Sequence, residues 1–196
     1  VKSCEEFVSF MRYYVKEKRN KPEDDLITHL IKAESEGEKL STDELITTCI
    51  LLLNAGHEAT VHSIGNGVKT LLEEQVTPTY LNPGNIVKII EEILRFDPPL
   101  HMFTRYAYED IEIEGHTFNR GHEIGLMLGA AGRDPKSWKD PELFIPDRPI
   151  KTNTALGGGI HFCVGAPLAR LELKVGISVL FERCPNLKIT KSPEYA

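Results

Sequence analysis

The 196-residue chain has no cysteine pair at metal-knuckle spacing, no apolar run of membrane length and no basic stripe. Its four cysteines, Cys4, Cys49, Cys163 and Cys184, are scattered without a Cys-x-x-Cys pair. That excludes a zinc framework and does not fit a secreted disulfide scaffold. No apolar stretch approaches the roughly 18 residues needed to span a bilayer, and nothing at the start reads as a signal peptide. The expectation is a cytoplasmic protein with no membrane partner. A net charge of −6 without clustered Lys and Arg argues against nucleic acid as a partner. What remains is an ordinary soluble-domain composition, 41% hydrophobic and 27% charged, with enough chain for one core or two modest subdomains.

Apolar spacing marks out the elements. Phe7, Phe10, Met11, Tyr14 and Val15 recur at three and four, predicting a helix from Cys4 to about Arg19. Its closing cluster, Lys16, Lys18 and Arg19, suits a helix C-terminus and is expected to be a solvated face. A short helix is predicted from Asp24 to about Glu34, with His29 partly buried. Ser41-Thr42-Asp43-Glu44 is a capping box. It opens a helix expected to reach Leu72, about 30 residues or roughly 45 Å long. That helix is apolar, then abruptly polar from Asn54 to Thr60, where burying a carboxylate and a hydroxyl is costly without a purpose. Gln75 to Asn85 reads as a loop or broken short helix. Another helix runs from about Asn85 to Arg95 and stops before Asp97-Pro98-Pro99. Short strands are expected at Met102–Tyr108, Ile111–Ile113 and Gly121–Leu128. A Pro-rich meander follows from Pro141 to Pro149. A final core helix opens at Ala166-Pro167 and ends at Cys184-Pro185, with Leu187 to Ile189 as one more strand. The fold class is mainly α with small β-sheets.

The chain is organised around Leu-Gly-Gly-Gly-Ile-His-Phe-Cys-Val-Gly, from Leu156 to Gly165. Consecutive glycines permit backbone angles and close approaches that a Cβ would forbid. They deliver Cys163 to the mouth of the final helix, among unpaired N–H groups and the positive end of the helix dipole. Those conditions favour the thiolate, the metal-binding form of sulfur. His161 offers a donor on the same loop. The plainer reading is a connector whose cysteine is a small buried hydrophobe.

The whole pattern decides between these. The segment resembles the haem-binding loop of the cytochrome P450 family, Phe-Gly-x-Gly-x-His-x-Cys-x-Gly, with Leu156 in place of Phe. The resemblance implies that Cys163 is the axial thiolate of a haem b iron, that Gly157 and Gly159 shape the loop and that His161 contacts a propionate. Ala55, Gly56 and Glu58 resemble the family's oxygen-activation stretch, Ala-Gly-x-Glu/Asp-Thr-Thr/Ser. There Ala59 takes the position of the proton-delivering Thr, and the hydroxyl appears at Thr60. Helix neighbours are about 100° apart, so Thr60 cannot simply replace it, and proton delivery is expected to use Glu58, water or a substrate hydroxyl. Leaky coupling with peroxide release is the companion expectation.

Glu92 and Arg95 resemble the family's Glu-x-x-Arg pair, completed by Arg148 of Phe144-x-Pro146-x-Arg148 as a buried structural network. His101-Met102-Phe103-Thr104-Arg105 looks like the strand along the haem edge, with Arg105 paired to a propionate. Gly132-Arg133-Asp134-Pro135 resembles the family's Asn-Arg-Asp-Pro turn. Residues 1–196 then correspond to the C-terminal half of one haem-binding domain, without its N-terminal half. The implied activity is oxidoreductase chemistry: hydroxylation of a small organic substrate with O2 and electrons from a ferredoxin or flavodoxin. The alternatives are a fragment without independent activity, a haem-thiolate peroxygenase, or a helical protein in which Cys163 is inert.

Overall fold

The structure is a computed structural model that describes residues 2–35 and 40–191, without the side chains of residues 34 and 35. The chain divides into two compact units, Val1–Glu58 and Ala59–Ala196.

The first unit holds α1 (Lys2–Asn20), α2 (Leu26–Ser35) and the start of α3 (Thr42–Glu73). Met11 and Val15, one helical turn apart on α1, pack with Leu45, Ile46 and Cys49 of α3 and with Ile27, Leu30 and Ile31 of α2. The Ser41 capping box forms in both directions: Ser41 N–H donates to Glu44 Oε2 at 2.7 Å, and Glu44 N–H donates to Ser41 Oγ at 3.2 Å. Lys18 departs from the expected solvated face. Its side chain is only 12% exposed and donates to Asp25 Oδ2 at 2.6 Å and to Glu23. His29 departs the other way and stands exposed beside Asp24.

Asp25 is the N-cap of α2, its Oδ1 accepting the Thr28 N–H at 2.8 Å. Lys18 first, then the Thr28 amide, holds its carboxyl down at about 2, against an ordinary 3.8. Because the folded value is depressed, the stabilisation is fully present above 3.8 and is lost as pH falls toward 2. The Lys18 ammonium is held above its ordinary range, so its contribution persists until strong alkali. The Thr28 amide resonance is expected to titrate near 2 rather than 3.8, and Asp25→Asn should abolish that titration. A midpoint at the ordinary value contradicts the cap.

The second unit contains α4 (Ile86–Phe96), β1 (Met102–Tyr106), β2 (Ile111–Ile113), β3 (His116–Phe118), β4 (Glu123–Met127), α5 (Leu128–Ala131) and α6 (Ala166–Arg183), with the end of α3. Its core is the apolar face of α4, Ile86, Ile89, Ile90, Ile93 and Leu94, against Leu173, Ile177 and Phe181 of α6 and Leu71 of α3. Gly67 lets these helices meet, since a Cβ there would stand 3.1 Å from both Ile93 Cδ1 and Ile177 Cδ1. α3 ends in a Schellman closure: Val76 N–H reaches Leu71 O and Gln75 N–H reaches Leu72 O, with Gln75 at φ 54.

Two antiparallel pairs form, β1 with β4 and β2 with β3. β3 is an addition to the expected strands. Glu114 and Gly115, at φ 51 and 77, make a two-residue hairpin that sets Ile113 opposite His116. β4 stops at Met127 and turns directly into α5, so Leu128 is helical and not a strand residue. Among the described residues Leu187–Ile189 joins no strand. No helix among them is long and apolar enough to cross a membrane.

Candidate functional site

Successive residues of α4 project about 100° apart, so its adjacent acids, Glu91 and Glu92, leave the helix in different directions. Glu92 faces inward. Its carboxylate accepts Arg95 Nε at 2.7 Å and Arg95 Nη2 at 2.8 Å, and each of the two side chains is 1% exposed. Arg148 Nε reaches both Glu92 oxygens at 3.0 Å, and the Ile145 N–H donates to Oε1 at 2.8 Å. Arg95 spends its remaining donors on the carbonyls of Gly132, Pro141 and Leu143. The Gly132 turn seats against the helix so tightly that a Cβ there would stand 2.3 Å from Arg95 O. Arg95 thus ties α4 to three carbonyls of the irregular chain, and Arg148, from within the meander, takes those of Lys139, Asp140 and Leu143. This satisfies backbone groups that a loop leaves without partners.

The cysteine loop follows. Gly157, at φ +74, has His161 O 3.1 Å from where a Cβ would sit, and Gly159 is at φ +60. A left-handed backbone at both points costs a substituted residue roughly 1–2 kcal/mol each. The loop closes by Cys163 N–H donating to Leu156 O at 2.9 Å, and a single 3-10 turn, Gly159–His161, lies inside it. Cys163 is half-buried at the mouth of α6, where its carbonyl accepts the Ala166 N–H at 3.2 Å. The rim is apolar and uncovered: Ile160 is 97% exposed, Val164 87% and Phe162 48%.

The other expected residues are distributed as follows. His161 is exposed and has no hydrogen-bond partner among the described residues. Arg105 lies half-buried on β1, donates only to its neighbour's Thr104 carbonyl at 2.8 Å and pairs with no carboxylate among the described residues. Thr60 Oγ1 donates to Glu172 Oε2 on α6 at 3.3 Å. Glu58 is exposed on α3 in the first unit.

Sequence reasoning missed a second ion pair. Glu91 accepts Arg170 Nε at 2.5 Å and Nη2 at 3.2 Å, and Asn153 Nδ2 at 3.3 Å. Glu91, with partial burial opposing it and the Cys163 sulfur adding to it, holds the Arg170 guanidinium above its ordinary range. The only signal in the sequence was the doubled glutamate, of which the spacing to Arg95 engages one.

A mainly helical chain with two small antiparallel pairs, a buried Glu–Arg–Arg brace and a glycine-hinged cysteine opening the last helix has the make-up of a cysteine-loop α protein. The family model for cytochrome P450 matches residues 86–192, more than half of the sequence. The chain belongs to the cytochrome P450 family. It is 38% identical over 192 residues to the polyketide biosynthesis cytochrome P450 PksS of Bacillus subtilis, covering 96% of this chain and 47% of that protein. It is also 38% identical over 190 residues to 6-deoxyerythronolide B hydroxylase of Saccharopolyspora erythraea, covering 95% and 47%. Among solved structures, P450BioI in complex with an acyl carrier protein superposes with a TM-score of 0.91 at 37% identity, over 97% of this chain and 50% of that one. The chain spans about half the length of the curated relatives it matches.

Proposed function

We propose that this chain is the haem-holding, C-terminal portion of a haem-thiolate monooxygenase, with Cys163 as the residue that would bind the iron. The observation that carries the reading is the loop itself, which holds a half-buried sulfur at a helix mouth after two left-handed glycines. Three further features fit a flat apolar macrocycle bearing two carboxylates. The rim of Ile160, Phe162 and Val164 is exposed and apolar. Among the described residues Arg105 is a cation with no carboxylate partner, and His161 is a ring with no hydrogen-bond partner. Glycine at 157 and 159 leaves the backbone room that a side chain would fill.

Haem held there would supply O2 activation for hydroxylation of a small organic substrate, with two electrons from a ferredoxin or flavodoxin. The residues of this chain do the rest. Cys163 would hold the iron through its sulfur, and the Leu156 carbonyl fixes its backbone. Arg105 and His161 neutralise and orient carboxylates by charge-assisted hydrogen bonds. Glu58 hands protons on, in place of the hydroxyl that Ala59 lacks. Thr60 is a poor candidate for that step because its hydroxyl is engaged by Glu172.

Thr60→Ala should therefore leave product formed per electron consumed unchanged, whereas Glu58→Gln should slow turnover by about 10²-fold, the usual scale of a positioned acid. Single-turnover product and peroxide yields check both; tight coupling abolished by Thr60→Ala overturns the assignment. Ala59 also favours a second reading, a peroxygenase that takes its oxygen from peroxide. Turnover with peroxide and no reductase, exceeding that with reductase and O2, supports that reading over the first.

A further inference from the structure

Glu91 binds two partners that stand on opposite sides of Cys163 in the chain. Asn153 lies ten residues before the cysteine and Arg170 seven after it. Asn153 donates from Nδ2 to Glu91 and, through Oδ1, accepts the Ala155 N–H at 3.1 Å, a turn that leads the chain into the loop. Ala155 is buried, and the next residue, Leu156, provides the carbonyl that holds the Cys163 amide at 2.9 Å. Arg170 sits on the second turn of α6, the helix the cysteine opens. Its guanidinium grips the same carboxylate with two donors, and the Glu91 side chain is only 12% exposed. The Glu92 network ties α4 to the meander and touches neither end of the loop, so this second network has a separate task.

We propose that Glu91 is a positioning residue for the Cys163 sulfur, one carboxylate that clamps both ends of the ligand loop, through Asn153 where the chain enters and Arg170 where it leaves. The inference rests on the reading of Cys163 as a haem ligand. Losing the clamp leaves α4 folded, because its core face and the Glu92 network are intact, but it frees the loop to let the sulfur withdraw. Arg170→Lys keeps the charge and loses the two-donor fork, so it should lie between wild type and Glu91→Ala.

The test uses haem-loaded protein with Glu91→Ala, Glu91→Gln, Arg170→Met and Arg170→Lys. Three quantities are read: haem per chain, helical ellipticity, and the rate at which the reduced carbon-monoxide complex converts from a red-shifted to an unshifted Soret band. The expected result is wild-type ellipticity and haem content with conversion faster by about tenfold or more in Glu91→Ala, the scale of one charge-assisted contact. The double variant Glu91→Ala/Arg170→Met should convert no faster than the faster single one, since both remove one link. Conversion at the wild-type rate in Glu91→Ala and Glu91→Gln overturns the inference, as does a loss of haem and ellipticity in step with the spectral change. Absence of any red-shifted band in the wild type is a different failure and overturns the haem reading instead.

Discussion

Glu92→Ala should destabilise the second unit by about 3–5 kcal/mol, the cost of stranding a buried charge. With Glu92 removed, two guanidiniums lose their only carboxylate among the described residues: Arg95, whose side chain is 1% exposed, and Arg148, at 9%. Arg95 is sealed from water, and the Ile145 amide loses its acceptor as well. A domain is stable by only about 5–15 kcal/mol in all, so the loss takes a third or more of the margin. Arg95→Lys should cost nearly as much, because one ammonium cannot replace a planar fork that serves a carboxylate and three carbonyls at once. Denaturant midpoints at fixed slope measure the effect. The contrast is Lys88→Ala, whose partner Asp147 is 65% exposed and whose loss should move the midpoint hardly at all. Midpoints for Glu92→Ala and Lys88→Ala that coincide would contradict the account of the brace.

Cys163→Ala should do the opposite, sparing the fold and removing the function. The sulfur is half-buried at a helix mouth outside the core cluster, so its removal opens no cavity among the packed isoleucines of α4 and α6. Haem retention, on the proposed reading, should fall by more than about 100-fold, beyond the range seen for residues that only support a ligand. Hydroxylation should become undetectable. Cys4→Ala and Cys184→Ala, at exposed free cysteines, should change neither quantity. Equal haem content in Cys163→Ala and wild type, measured on protein of equal ellipticity, removes the cysteine from the site.

The elements were legible where one local device decides them. Ser41 and Glu44 announce α3 because the capping box is a contact between near neighbours, and the apolar face of α4 is written in its isoleucines. β3 was hidden because His116-Thr117-Phe118 carries a single apolar residue, where the equally short β2 reads Ile-Glu-Ile, and because Gly115 carries its turn with a Glu beside it at positive φ. Lys18 reads as solvated because its two acids lie beyond Pro22, and only the chain reversal brings them within reach. The site shows the same divide. Cys163 and its glycines are contiguous and were plain. The Glu92 network was legible only through family resemblance, since Arg148 lies 56 residues away. The Glu91 clamp was invisible, because a contact across 79 residues leaves no spacing to read.

The most direct test of the central claim is the visible spectrum of the haem-loaded protein, reduced and saturated with carbon monoxide. Thiolate ligation of the iron shifts the Soret band of that complex strongly to the red, and the account predicts that shift in the wild type and its loss in Cys163→Ser. A band at the unshifted position in the wild type, with haem bound at one per chain, would mean that another residue holds the iron.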